Sequence, residues 1–285
     1  MDLIKDILKG AIIGIANIIP GVSGGTMAIS MGIYDRLISA ITGIFRNFKK
    51  SMRVLIPVVL GAAIGIIALS YVITPALERY PLQTSCLFIG LILGGLPMLT
   101  KHVKGTKIHL PEIIVFILFF ALVIGMTFLK GSESNITDIT INFGTMIQLF
   151  FAGMVASATM IIPGVSGSMV MMILGFYNII ISNIKTFIDA LLNFDIPALI
   201  HGLGVFVPFG IGILLGIGIV AKIIELLFTK QPTLTYCGIL GLVIASPVAI
   251  LYNIGFSSVN AISVIISVIT FAIGFAIASA LGKEE

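Results

Sequence analysis

Ile18-Ile19-Pro20-Gly21-Val22-Ser23-Gly24 returns as Ile161-Ile162-Pro163-Gly164-Val165-Ser166-Gly167, an offset of 143 from Pro20 to Pro163. Each copy is followed eight residues later by Gly-x-Tyr, at Gly32 and Tyr34 and at Gly175 and Tyr177. A second set recurs with an offset of 151, measured from Pro57 to Pro208. In it Pro57, Gly61 and Gly65 match Pro208, Gly212 and Gly216, while Pro81, Thr84, Cys86, Gly90 and Leu91 match Pro232, Thr235, Cys237, Gly241 and Leu242. The chain is therefore read as one unit written twice, over 1–135 and 136–285, with eight residues gained in one loop.

The solvent for this unit is lipid. Hydrophobic residues make up 58% of the chain and charged residues 10%, with a mean hydropathy of +1.20, where soluble domains carry about 25% charge. Apolar runs of about 20 residues, enough to cross a bilayer, recur along the sequence. They predict spans at about 54–74, 83–100 and 112–130 in the first half, and at about 203–228, 233–252 and 259–281 in the second. The expected fold is an all-α polytopic membrane protein, one integral membrane domain.

Each proline motif sits between two shorter apolar arms. Lys9 to Ile19 and Gly24 to Tyr34 are each about ten residues, about 15 Å as helix, or half of a ~30 Å hydrocarbon core. That length predicts a re-entrant hairpin at about 5–35, and a second at about 146–180. Lys5 and Lys9 precede the first hairpin and Arg36, Arg46, Lys49, Lys50 and Arg53 follow it, so both its ends are expected at the cytoplasmic face. Three crossings then place Glu78 and Arg79 outside, Lys101, Lys104 and Lys107 inside, and Glu133 and Asp138 outside. The second unit starts outside, which makes the repeats inverted and puts both termini in the cytoplasm. Met1 to Lys9 mixes acids with bases and is followed by no small-residue cleavage pattern, so no cleaved signal peptide is expected.

Several function classes drop out. The net charge of +4 comes from bases in short loops beside apolar spans, without the aromatic-interleaved surface of a nucleic-acid binder. Cys86 and Cys237 are the two cysteines, too few for a disulfide framework or a CxxC site, and they read as small apolar residues. His102, His109 and His201 lack metal-ligand spacing, so neither a metal nor another cofactor is expected. No HExxH, nucleophile elbow or Walker loop occurs, and the spans hold no paired carboxylates for acid–base work.

The chemistry is expected at the two breaks. Pro20 ends the first arm for want of an N–H, Gly21 allows a sharp reversal, and Ser23 suits the N-cap of the second arm. Pro163, Gly164 and Ser166 repeat this. The result is two half-helix N-termini near mid-membrane, with free N–H groups at Gly24, Gly25 and Thr26 and at Gly167, Ser168 and Met169, suited to an anion. A Pro-Gly pair by itself merely ends a helix; two copies in inverted halves point to a substrate site, because transporters build sites at such breaks. Asn17 is matched by Met160, with Ser157 and Thr159 nearby, and serves either as an asymmetric hydrogen-bonding group or as glue between helices. Lys222 and Glu225, three apart on one helix face, form a local ion pair, a charge relay along the substrate path, or snorkelling side chains near the interface.

The doubled Pro-Gly-Val-Ser-Gly, with Gly-Gly-Thr-Met at Gly24 to Met27 and Gly-Ser-Met at Gly167 to Met169, resembles the bacterial PopT polyprenyl-phosphate transporter family over essentially the whole chain. The resemblance implies a protein of the bacterial cytoplasmic membrane, not an enzyme, that returns undecaprenyl phosphate, the carrier lipid of cell-wall synthesis, from the outer leaflet to the inner one. Donors at Gly21, Ser23, Gly24, Gly25, Thr26, Gly164, Ser166, Gly167 and Ser168 are then expected to hold the phosphate while the tail stays among the membrane lipids. A coupled transporter of a small soluble anion and a membrane lipid phosphatase are the alternatives.

Overall fold

The computed structural model describes residues 3–17, 23–128, 139–254 and 260–282, except for the side chains at 68–71, 74, 168, 253 and 282. Pro20, Gly21 and Val22 lie outside them. Among the described residues all regular structure is helical. The first half runs α1 (Leu3–Ala16), α2 (Gly24–Ser30), α3 (Tyr34–Thr42), α4 (Phe48–Arg79), α5 (Pro81–Lys101) and α6 (Leu110–Phe128). The second half follows the same order with α7 (Phe143–Ile161), α8 (Gly167–Ile173), α9 (Tyr177–Asn193), α10 (Ile196–Lys230), α11 (Pro232–Ile254) and α12 (Ala261–Gly282). Among the described residues, seven helices are long and apolar enough to cross a membrane: α4, α5, α6, α7, α10, α11 and α12. Their outer faces expose residues such as Ile117, Leu118, Leu214 and Val268, as lipid-facing helices do. The chain is a multi-pass membrane protein.

The Gly-x-Tyr signal has a local meaning. Gly32 and Gly175 take φ of +70° and +78° just beyond α2 and α8. There Ile33 N–H donates to the Ala28 carbonyl and Phe176 N–H to the Met171 carbonyl, each at 3.0 Å. A left-handed glycine thus closes each seven-residue helix, and Tyr34 or Tyr177 opens the next one.

Three expectations on extent are revised. Helices α3 and α9, absent from the span assignments, form because their apolar residues recur at helical spacing, with Tyr34, Ile38 and Ala40 buried in α3. Helix α10 begins near 196 rather than 203, since Asp195 accepts the Ala198 N–H at 3.1 Å and Pro197 suits a first turn; hydropathy averages past both signals. Helix α7 has 19 residues, about 28 Å, not the expected ten of a re-entrant arm. Helix α1, with 14 residues and about 21 Å, is short of a full crossing.

The chain divides into two compact units that cut across the repeats: Met1–Phe128 with Ile162–Val165 and Ala221–Glu285, and Leu129–Ile161 with Ser166–Val220. Within the first, α1 and α4 run parallel at backbone contact. Gly61 and Gly65 face the Ile7 and Ala11 carbonyls, and Gly10 and Gly14 face those of Val58 and Ala62, with no room for a Cβ. In the second unit Gly212 and Gly216 meet Phe150 and Met154 of α7 and Gly153 meets Phe209, reproducing the contacts at the same sequence offsets. Leu149, Ala152, Met171, Ile180 and Val205 form that unit's core. Small residues let helix backbones approach where the hydrophobic effect supplies no drive.

The remaining helices of the first unit pair across the two halves of the sequence. Gly90 and Gly94 of α5 lie on Phe271 and Phe275 of α12, and Gly274 on Leu87; Gly241 of α11 lies on Phe116 and Phe120 of α6. Both pairs run parallel. Thr270 and Ser279 add hydroxyl bonds to the Gln83 and Gly94 carbonyls, at 2.8 and 3.3 Å.

Candidate functional site

Helix α1 leads away from its start and the chain comes back. Asn17 closes the outward arm, its amide donating to the Ile13 carbonyl at 3.1 Å, and α2 and α3 return until Arg36 pairs with Asp6. Asp6 and Lys9 are buried, so Lys9 is not the loop charge that its place beside the first hairpin suggested. Helix α1 and the start of α3 are thus joined by the Asp6–Arg36 pair.

At the first break Ser23 occupies the N-cap position in extended conformation, yet makes no side-chain cap. Its buried hydroxyl has no partner among the described residues. The cap comes from Asn17, whose Oδ1 accepts the Gly24 N–H at 3.2 Å, so that N–H is occupied rather than free. A Cβ at Gly24 would stand 2.8 Å from both polar atoms of the Asn17 side chain. Gly25 and Thr26 are buried in the first turn of α2.

The second break carries a buried Pro163 and a Gly164 at φ +77°, the left-handed region that a side chain would strain. Gly164 N–H donates to the hydroxyl oxygen of fully buried Thr26 at 2.7 Å. Thr26, two residues past the first Pro-Gly-Val-Ser-Gly copy, therefore touches the second copy. Ser166, at the N-cap of α8, likewise makes no side-chain cap. Gly167 faces Thr159, whose Oγ1 would lie 3.0 Å from an added Cβ. Thr159 thus stands where Asn17 stands at the first break, one position from Met160, the residue that the repeat alignment offered. The Ser168 backbone opens α8.

A second polar cluster lies at the base of the first hairpin. Lys222 Nζ and Glu225 Oε2 pair at 2.6 Å, with the lysine 70% exposed. They line a cavity of about 400 Å³ together with Arg36, Arg46, Lys50, Ser39, Thr42, Asn47 and Ser51. Beside it Tyr236 donates to Asp35 at 2.9 Å and stacks on His102, with ring centroids 4.3 Å apart. Burial first, and then the Asp35 charge, push the Tyr34 phenol well above its ordinary range, which keeps it neutral. Sequence reasoning missed Asp6, Asp35, Tyr236 and His102 as a polar layer; Lys5, Asp6 and Lys9 at the start of an arm that is apolar beyond them were the available signal.

Three comparisons bear on identity. The family described as undecaprenyl phosphate translocase-like matches residues 13–207. A polyprenyl-phosphate transporter of Staphylococcus aureus (strain NCTC 8325 / PS 47) is 32% identical over 281 residues, covering 98% of this chain and 95% of that protein. One from Vibrio cholerae serotype O1 (strain ATCC 39315 / El Tor Inaba N16961) is 30% identical over 211 residues, 68% of this chain and 65% of that protein. No solved structure matches the chain. With a doubled break motif, a chain-long relative and a family match across both breaks, this protein belongs to the undecaprenyl phosphate translocase-like family.

Proposed function

We propose that the chain translocates a polyprenyl phosphate, undecaprenyl phosphate above all, from the outer to the inner leaflet of the bacterial cytoplasmic membrane. The observation that carries this is the contact between Thr26 and Gly164, which joins the two sequence breaks at one place. A phosphate leaving water needs replacement donors; Ser23 offers a buried hydroxyl without a partner, with the Gly25 and Thr26 amides following it. The sequence repeat extends the assignment to Ser166, Gly167 and Ser168, and Gly21 belongs to the same turn in sequence. Asn17 orients the first break rather than binding the phosphate.

The parallel pairing of α5 with α12 and of α6 with α11 supports inverted repeats. Consecutive spans alternate in direction, so α5 opposes α6, and α11, which follows α6, opposes its counterpart α5. Rocking of such repeats against each other exposes a central site to each leaflet in turn. Basic residues around 46–53 favour a cytoplasmic base for the first hairpin and cytoplasmic termini.

The deciding experiment places labelled undecaprenyl phosphate in one leaflet of vesicles holding the purified protein and follows its appearance in the other. Exchange above that of empty vesicles, lost on Thr26→Val in folded protein, supports the proposal. Exchange no faster than in empty vesicles rejects it.

A further inference from the structure

We propose that the basic cavity at the base of the first hairpin is a second oxyanion site, built for a phosphate monoester and distinct from the sequence breaks. Its cations are Arg36, Arg46, Lys50 and Lys222, against one acid, Glu225. Arg36 is engaged by Asp6 and Lys222 by Glu225. Arg46 and Lys50 make no ion pair among the described residues, which leaves two uncommitted positive charges facing one cavity.

The independent observation is Ser51. This residue is 3% exposed and lines the cavity beside Lys50 and Arg46. A hydroxyl lining the same cavity as two cations that make no ion pair is matched by an anion that accepts from all three. A phosphate monoester carries about −1.5 to −2 charge at pH 7 and three acceptor oxygens. It balances Arg46 and Lys50 while giving Ser51 an acceptor. A phosphodiester, with a single charge and two free oxygens, balances only one of the cations.

The rim argues for a monoester delivered on a lipid. Phe45 is fully exposed and Phe48 largely so, and they straddle Arg46 and Asn47 in sequence. Exposed aromatics next to basic residues, at the start of a membrane-crossing helix, set this edge at the bilayer interface. A lipid phosphate then reaches the cavity while its tail stays in the hydrocarbon. Taken with the proposed translocation, on which this point rests, the cavity receives the headgroup at the leaflet where the first hairpin is based.

The test uses the full chain in phosphatidylcholine nanodiscs with three probes: a fluorescent short-chain polyprenyl phosphate, inorganic phosphate and phosphatidylglycerol. The expected result is binding of both monoesters, with the lipid-linked one tighter and phosphatidylglycerol a poor competitor. Joint Arg46→Gln and Lys50→Gln substitution should weaken both monoesters about tenfold or more, the scale of a lost charge-assisted hydrogen bond, with thermal stability unchanged because both side chains are exposed. Ser51→Ala, which removes only the hydroxyl, should give a smaller loss in the same direction. Inorganic phosphate binding that is lost in the double variant, without polyprenyl phosphate binding, keeps the oxyanion site and removes the lipid reading. Wild-type affinity for both monoesters in the folded double variant, or equal competition by phosphatidylglycerol, overturns the site even where translocation is intact.

Discussion

The hydroxyl of Thr26 accepts the backbone N–H of Gly164 at 2.7 Å across 138 positions of sequence. Thr26→Val keeps the shape but removes the acceptor, so a part-buried amide is left unpaired at a cost of about 1–3 kcal/mol. Thr26→Ser retains the acceptor and should stay near wild type. Thermal unfolding in detergent, run beside vesicle translocation, checks both; equal stability of the valine and serine variants would show that the contact is incidental.

Close helix packing gives a contrast between glycines. An alanine at Gly61 meets the Ile7 carbonyl with no space to yield, whereas Gly125 and Gly218 have nothing within 4 Å of an added Cβ. Gly61→Ala should destabilise by about 1–3 kcal/mol through overpacking. Gly218→Ala should be neutral or stabilising by up to about 1 kcal/mol, since alanine is the better helix former. A common thermal-stability assay ranks them, and the reverse order would contradict the α1–α4 contact.

The ion pair at the hairpin base is buried on its acid side. Asp6→Ala removes the buried carboxylate that accepts from Arg36 and should cost about 1–3 kcal/mol. Replacing both by apolar residues, Asp6→Leu with Arg36→Met, should recover much of that loss. A double variant no more stable than Asp6→Ala would show that Arg36 draws its support from elsewhere.

Lys222 and Glu225 are exposed enough that their mutual attraction is worth only about 0–1 kcal/mol, and their larger effect is on the cavity they line. Lys222→Gln should weaken phosphate binding, while Glu225→Gln should strengthen it, each by about two- to fivefold on that scale. Isothermal titration with inorganic phosphate reads the sign directly. Loss of affinity in both variants would favour a relay that needs the intact pair.

Topology is tested by labelling single cysteines in a Cys86→Ala, Cys237→Ala background. Cysteines at positions 5 and 49 should react only from the cytoplasmic side, and one at 138 only from outside. Opposite labelling of positions 5 and 49 would reject a re-entrant first hairpin.

Much of this was legible because repetition leaves the same residues at fixed offsets. The two breaks, the left-handed caps at Gly32 and Gly175 and the glycine contacts of α1 with α4 and of α7 with α10 all follow the offsets of 143 and 151. Capping escaped detection where the repeat slips: Asn17 and Thr159 face equivalent glycines but differ by one position in alignment. Ser23 and Ser166 stand at N-caps without forming a side-chain cap bond, because composition gives a cap position and not the bond made there. Arg36 and Asp6 were invisible as a pair, since flanking charges in a sequence carry no sign of the return path that joins them.

The pairing of α5 with α12 and of α6 with α11 has a consequence for biosynthesis. When a ribosome has finished the first half, Gly90 and Gly94 of α5 and the Phe116 face of α6 still lack the helices they will pack against. These faces must wait without their partners until the last fifth of the message is read. A chain cut short before α11 therefore cannot settle into a smaller working half. It should be cleared by membrane proteases, whereas the two halves made as separate polypeptides in one cell retain the surfaces needed to find each other.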